Sequence, residues 1–310
     1  MLQSLNFFKK IQKKSQIFKF STVAEELSRW TKKLSAEKIA EPESSMRNLM
    51  AHVLKTQNLG EVDAKMDQKM TESEISQLES LVYARLAHMP VQYIIKEWDF
   101  RQLKGLKIIP PVFIPRPETE ELVSYISEDL KQQKMQKFKF LEVGSGSGVI
   151  SISLLREFPS AKGFCFDVNE LAVGLTRYNA EKFGVQARLT VEKFKLTDEN
   201  VPFTEQEYDL IVSNPPYVFT RELQRLEDDV KLYEDMRALD GGGDGLNVVN
   251  NILKVAEKYL RKDGSLWLET HFRHPVMLRE RFKGKTDGLA YEKTVNDLFG
   301  KERFVKFVKK

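Results

Sequence analysis

The chain has 310 residues, 41% of them hydrophobic and 30% charged, enough for one large domain and a smaller companion around real cores. It has one cysteine, Cys165, and four histidines, so an internal disulfide and a Cys-cluster zinc site are excluded and no metal is expected. No run of about 18 apolar residues occurs, so no membrane span is expected.

Residues 1–20 carry five lysines, no acid and an amphipathic set that includes Leu5, Phe7, Phe8, Ile11, Ile17, Phe18 and Phe20. Basic, acid-free and amphipathic is the composition of a mitochondrial presequence, and the matrix is the expected location. Without that segment the balance is 44 basic against 45 acidic residues, so the formal charge of +4 does not describe the body. A near-neutral body makes a nucleic-acid partner unfavourable.

From about Ser21 to Met89 the periodicity is helical. Ser21-Thr22 precedes Val23, Leu27, Trp30 and Leu34. Pro42 opens a second stretch with Met46, Leu49, Met50, Val53 and Leu54, and Gly60 is read as its C-cap. Thr71-Glu72-Ser73-Glu74 forms a capping-box pattern ahead of Ile75, Leu78, Leu81, Val82 and Leu86. Residues 21–89 are therefore expected to form a small helical bundle that holds a substrate or orients the other domain. Residues 90–117 read as a β-hairpin linker. Val91, Tyr93, Ile94, Trp98 and Phe100 form one arm, and Leu106, Ile108 and Ile109 the other, with Gly105 near the turn.

A helix is expected near Glu118, and the remainder, 118–310, alternates strand and helix. Strands are read at 139–143, 163–166, 187–191, 209–212 and 265–269, with helices at 149–158, 171–183 and 248–260 between them. That alternation predicts an α/β, doubly wound, mostly parallel sheet of the Rossmann-like type, taken as seven-stranded. Lys301–Lys310 is a further basic stretch, read either as a solvated strand edge or as a contact surface.

Three motifs carry chemistry. Glu142-Val143-Gly144-Ser145-Gly146-Ser147-Gly148 joins a strand to a helix, and its glycines let backbone amides approach a ligand. Dinucleotide enzymes use a related loop, but an acid followed by alternating glycines suits S-adenosylmethionine, with Glu142 near the ligand's ammonium. Asp167 ends the next strand, about 20 residues on, where a carboxylate can accept ribose hydroxyls. Asn214-Pro215-Pro216-Tyr217 follows a buried strand, where open α/β sheets place their ligand crevice.

In that turn the two prolines remove backbone donors and leave carbonyl acceptors. Asn214 adds an acceptor and two donors, and Tyr217 a flat face. The set fits a planar group bearing NH2, and it leaves adenine and glutamine equally open. A delocalised amide nitrogen is a poor nucleophile, so the pocket must orient it and stabilise the charge that develops on it. No strong base is required.

These motifs, with Ile114-Pro115-Arg116-Pro117-Glu118-Thr119-Glu120, resemble the release factor glutamine methyltransferases of the HemK type, PrmC-like, in a mitochondrial form. The resemblance extends to Met89-Pro90-Val91-Gln92-Tyr93-Ile94, and to Tyr233-Glu234, Ala238-Leu239-Asp240-Gly241-Gly242 and Asp244-Gly245. It covers nearly the whole chain after residue 20. It implies N5-methylation of the glutamine in the Gly-Gly-Gln motif of class I peptide release factors, with S-adenosyl-L-homocysteine as by-product; separately, a monomer is expected.

The resemblance also assigns site residues. Glu142, Gly144, Ser145, Gly146, Ser147, Gly148, Asp167, Phe194 and Asn214 are expected at the cofactor. Asn214, Pro215 and Tyr217 are expected to act on the amide, with Pro216, Arg116 and Glu120 lining or bracing its pocket. One position departs from the family pattern. Lys193 stands where an acid beside adenine is usual, while Phe194 retains the aromatic that can stack on the base. The alternative is an adenine-N6-type nucleic-acid methyltransferase, since Asn-Pro-Pro-Tyr is shared with those enzymes.

Overall fold

A computed structural model describes residues 21–197, 201, 207–285 and 287–310. The presequence expected over 1–20 lies outside the described residues. Two compact units divide at Ile95 and Lys96, inside the stretch read as a linker.

The first unit is helical. Helices α1 (Val23–Ala36), α2 (Pro42–Leu54), α3 (Leu59–Asp63), α4 (Glu72–Leu86) and α5 (Val91–Ile95) follow in order. Capping boxes at Thr22/Glu25 and Thr71/Glu74 start α1 and α4, as short polar side chains at N-caps should. Trp30, Leu34, Met46, Leu49, Met50, Leu78 and Val82 fill the interior. Gly60 is not the C-cap expected of it. Lys55 takes the left-handed conformation that ends α2, and Asn58 caps α3, which contains Gly60. The helical pattern after Pro42 therefore belongs to two helices, not one.

One charge lies inside this bundle. Arg85 is buried, and its guanidinium donates to Ser45 Oγ at 3.1 Å, the Met89 carbonyl at 3.2 Å and the Ala40 carbonyl at 2.9 Å. It therefore ties α4 to the link between α1 and α2 and to the chain leaving the bundle. Arg85→Ala leaves these acceptors without that donor and should destabilise the unit by roughly 2–3 kcal/mol, read as a lower denaturant midpoint. A midpoint unchanged from wild type would show that the guanidinium is structurally dispensable.

The hairpin is shorter than expected. Val91–Ile95 is a helical turn, initiated where the Pro90 carbonyl accepts from Tyr93 and Ile94. Burial of Val91, Tyr93 and Ile94 outweighs the strand preference of a β-branched and aromatic run. The hairpin consists of β1 (Glu97–Phe100) and β2 (Leu103–Lys107), turning at Arg101 and Gln102. Gly105 lies within β2, where its N–H donates to Asp99 opposite an irregularity in the register.

The second unit continues through α6 (Pro117–Gln132), β3 (Lys139–Val143), α7 (Val149–Glu157), β4 (Lys162–Asp167), α8 (Glu170–Lys182), β5 (Leu189–Lys193) and β6 (Tyr208–Ser213). After the short strands β7 (Val218–Phe219) and β8 (Asp240–Gly242), with α9 (Asp228–Tyr233) between them, come α10 (Asn247–Tyr259), β9 (Leu260–Glu269), α11 (His274–Arg281), β10 (Leu289–Asn296) and β11 (Glu302–Lys309). The seven-stranded sheet runs β10-β11-β9-β6-β3-β4-β5. Strands β9, β6, β3, β4 and β5 are mutually parallel, and β11 is antiparallel to both its neighbours. This is the doubly wound, mostly parallel architecture that the alternation implied.

The basic C-terminus is not a solvated edge. Strand β11 is paired on both sides, with Phe304, Val305 and Phe307 fully buried. Lys306 is only 5% exposed, and its Nζ lies 2.9 Å from both Asp129 and Glu292. The lysines mask a buried strand because one is paired inside and the others sit where the strand meets solvent.

Candidate active site

The parallel register sets the site. Val143 is paired with Phe166 on β4 and with Ser213 on β6, and Ser213 is paired with Leu268 on β9. The next residue on each strand is Asp167, Gly144, Asn214 and Glu269. These four form a row across the carboxyl edge. The chain leaves β3 toward β4 and β5, then returns to β6 on the other side of β3. That makes the β3/β6 boundary the switch point at which open sheets hold ligands.

On the β3 side the loop turns sharply. The Gly144 and Ser145 amides donate to the Phe166 carbonyl at 2.9 and 3.1 Å, and the Gly146 amide donates to Asp167 Oδ2 at 2.9 Å. Gly144 and Gly146 hold φ of +78° and +55°, and a Cβ on either would project into open space. Side chains there would be strained and would fill the crevice. Gly148 differs, because its Cβ would meet Ile152 and Thr176, so it permits close packing of the loop on the helices. No side chain caps α7, and Ser147 Oγ is buried without a partner among the described residues.

Asp167 also accepts from the Asn169 amide at 2.8 Å, and burial raises its pKa. Asn169, not Asp167, caps α8. Phe194 follows directly. Its amide donates to the Asp167 carbonyl, and its ring meets Phe166 edge-on at 5.6 Å. Lys193 lies outside on the surface, paired with Glu170. Open glycine positions, a free helix start, a carboxylate one strand over and an aromatic ring beside it fit the amino-acid, ribose and adenine parts of S-adenosylmethionine.

Glu142 sits deeper than expected. It is buried, and one carboxylate oxygen takes both the backbone N–H and the hydroxyl of Ser151. Burial pushes its pKa to about 8. The residue locks the first turn of α7 to β3, and thereby sets the angle at which the glycine loop is presented.

On the β6 side, Ser213 Oγ donates to the Val143 carbonyl at 2.6 Å, tying the two halves together. Asn214 Nδ2 donates to Thr119 Oγ1 at 3.0 Å, and Thr119 donates to Glu269 Oε2 at 2.8 Å. The Tyr217 hydroxyl donates to the other oxygen of Glu269 at 3.1 Å. Tyr217 therefore keeps part of its ring exposed while its hydroxyl is buried, and its pKa is raised by burial and by the Glu269 charge. Among the described residues no hydrogen bond reaches the Pro215 carbonyl or Asn214 Oδ1.

Neither Arg116 nor Glu120, both expected to line or brace this pocket, bonds to the Asn214 network among the described residues. Arg116 pairs with buried Glu234 at 2.5 Å and lies over the Phe113 ring, joining the Pro-Arg-Pro segment to the stretch after α9. Glu120 does not join the Asn214 network. It is half-buried, and its charge acts on Lys104. Its neighbours Thr119 and Glu118 take that place, since the Glu118 charge acts on both Glu269 and Tyr217.

Sequence reasoning missed Thr119, Glu269 and Arg303. Thr119 belongs to the Pro-Arg-Pro-Glu-Thr-Glu segment, and Glu269 ends the strand expected at 265–269, so a polar residue at each strand or helix end is the available signal. Arg303, whose charge acts on Glu269 and Tyr217, lies in the basic stretch read as a solvated edge or a contact surface, where no inward-facing charge is expected.

Behind the Asn-Pro-Pro-Tyr turn, β7 and β8 pair in parallel. A Cβ on Gly241 would come within 2.6 Å of the Gly245 carbonyl and 2.8 Å of the Pro216 carbonyl. One on Gly245 would come within 2.6 Å of the Tyr217 carbonyl and 2.7 Å of His274 Nε2. The glycine stretch is the bed on which the turn rests. Gly241→Ala should cost roughly 1–3 kcal/mol of stability by overpacking, with a larger proportional loss of methyl transfer. Wild-type denaturation and turnover in that variant would rule out this packing role.

Residues 25–95 match a family model described as PrmC N-terminal domain, and residues 119–231 match one described as methyltransferase small domain. The human protein named MTRF1L release factor glutamine methyltransferase is 37% identical over 296 residues, 92% of this chain and 87% of that protein. The chain belongs to the release factor glutamine methyltransferases. The member from Thermodesulfovibrio yellowstonii is 34% identical over 223 residues, 72% of this chain and 77% of its own. Among solved structures, the hMettl16 catalytic domain in complex with MAT2A 3'UTR hairpin 1 aligns at a TM-score of 0.51 and 14% identity. That match covers 84% of this chain and 90% of the other, and it reflects a shared fold alone. As in the rest of the family, the cofactor is S-adenosylmethionine.

Proposed function

We propose that this protein methylates N5 of the glutamine side chain in the Gly-Gly-Gln motif of a class I peptide release factor. The observation that carries the reading is the placement of Asn214-Pro215-Pro216-Tyr217 beside the Gly144–Gly148 loop at the switch point of the sheet. S-adenosylmethionine supplies a methyl group bound to a sulfonium sulfur. Gly144, Gly146 and Asp167, with Phe194 at the adenine, hold that cofactor.

The chain's own groups then do three things. Asn214 Oδ1 and the Pro215 carbonyl accept the N–H bonds of the substrate amide, which fixes the plane of the nitrogen. Tyr217 covers the amide, and the Pro216 backbone stiffens the turn from below. The same acceptors stabilise positive charge as the nitrogen gains its methyl and the sulfur takes back the S–C bond electrons. The methylated nitrogen then loses its proton to water, so no buried base is needed.

Incubation with labelled cofactor and a release factor, or its Gly-Gly-Gln→Gly-Gly-Ala variant, tests this. Label should enter only the glutamine form. Equal label in both would sink the glutamine assignment, and label found only in DNA or RNA would favour an adenine-N6 activity. Asn214→Ala should abolish transfer while cofactor binding persists in calorimetry.

The proposal extends to location. Five lysines, no acid and interspersed Leu, Ile and Phe in residues 1–20 support import into mitochondria, where the enzyme would act as a monomer on a mitochondrial release factor. A reporter fused behind residues 1–25 should co-purify with mitochondria. A reporter that stays cytosolic would defeat this part of the reading.

A further inference from the structure

The polarity of the Asn214 amide follows from the hydrogen bonds behind it. Glu269 lies 1% exposed at the end of β9, and Thr119 is 2% exposed in the first turn of α6. Thr119 has one hydroxyl proton. With the Glu269 carboxylate accepting it at 2.8 Å, Thr119 can only accept from the other side. It accepts from Asn214 Nδ2 at 3.0 Å. The amide oxygen of Asn214 must then point the opposite way. Tyr217 occupies the second oxygen of Glu269, so both of the hydroxyls facing that carboxylate are already committed as donors.

We propose that Thr119 and Glu269 are positioning residues which hold Asn214 with Oδ1 toward the substrate, so that the pocket accepts an NH2 group and rejects a carboxylate. The inference rests on the glutamine reading given above and adds how glutamine is told from glutamate. A reversed Asn214 would set its own NH2 against the substrate NH2, donor against donor. A glutamate substrate would set its oxygens against Oδ1 and the Pro215 carbonyl, acceptor against acceptor. A buried polar mismatch of that kind discriminates far more strongly than shape.

The relay has an electrostatic setting. Burial pushes the Glu269 pKa up to about 7, opposed by the bonds from Thr119 and Tyr217 and by the Arg303 charge, while Glu118 raises it further. Arg303 is itself held by Asp297 at 3.3 Å. Above the Glu269 pKa the carboxylate can only accept, and the relay has one direction. Below it Glu269 gains a proton and can donate to Thr119, which is then free to donate to Asn214 Oδ1 and turn the amide around. Turnover should therefore fall as pH drops through about 7.

The test uses the full chain, S-adenosylmethionine and an intact release factor, with kcat, KM and cofactor affinity measured separately. Thr119→Val keeps the shape and removes the relay. Its kcat should fall by about 100-fold or more while cofactor affinity is retained. Thr119→Ser restores the hydroxyl and should recover most of the rate. Glu269→Gln cannot gain a charge, so its remaining activity should lose the acidic limb of the pH profile. A Gly-Gly-Glu release factor should compete more than about tenfold less well than the glutamine form against wild type, and the gap should narrow in Thr119→Val.

Wild-type turnover and discrimination in Thr119→Val, with glutamine still the labelled residue, would overturn the positioning role and leave the glutamine reading intact. A wild-type enzyme that does not label glutamine would overturn both. If Thr119→Val does not fold, Thr119→Ser and the pH profile of Glu269→Gln still decide. An acidic limb that persists unchanged in Glu269→Gln would count against the relay.

Discussion

A buried carboxylate at the end of β9 organises this enzyme. Glu269 reaches the Asn-Pro-Pro-Tyr turn twice, directly through Tyr217 and by way of Thr119 to Asn214. It can do so only because β6 and β9 are parallel and in a register that places Asn214 beside it. Burying an acid there is costly unless its lone pairs are used. Two hydroxyl donors and the Arg303 charge meet that need. The cofactor loop depends on the same register one strand further on, where β3 stands next to β6.

The site is therefore a row of strand ends joined by side chains from distant parts of the sequence. Thr119 comes from the segment before the sheet, and Arg303 from its last strand. Arg116 ties that first segment to Glu234, and the Asp235 amide donates to the Pro111 carbonyl close by. The glycines at 241 and 245 bring a third segment against the back of the turn. Each tie restrains a loop at the carboxyl edge of the sheet. A pocket that must hold an amide nitrogen in line with a sulfonium needs such restraint, because a small misplacement is expensive in rate.

Electrostatics divides the two acids of the row. Asp167 accepts two backbone amides and retains the capacity to accept ribose hydroxyls. Glu269 also accepts two protein donors, but it is only 1% exposed and turned inward, behind the Asn-Pro-Pro-Tyr turn. Glu142, two residues before Gly144 on β3, is likewise structural, clamped to the start of α7. Acids that look equivalent as letters in motifs thus separate into one suited to the cofactor and two that shape its surroundings.

The sequence by itself determined what depends on local pattern. Alternating apolar segments specified the parallel sheet, and Thr71 and Glu74 their helix start. The glycine loop, Asp167 and Asn214 to Tyr217 could be placed at strand ends, because strand ends in such sheets are where ligands sit. Tertiary structure decided the rest. Val91–Ile95 became helical because burial outweighed strand preference. The lysine-rich C-terminus became an inner strand because Asp129 and Glu292 neutralise Lys306 within it. Thr119, not Glu120, joined the amide pocket because the phase of α6 turns only one of them toward β9. Which of two adjacent side chains meets a partner 150 residues away is set by helix phase and strand register, and neither is written in any single segment.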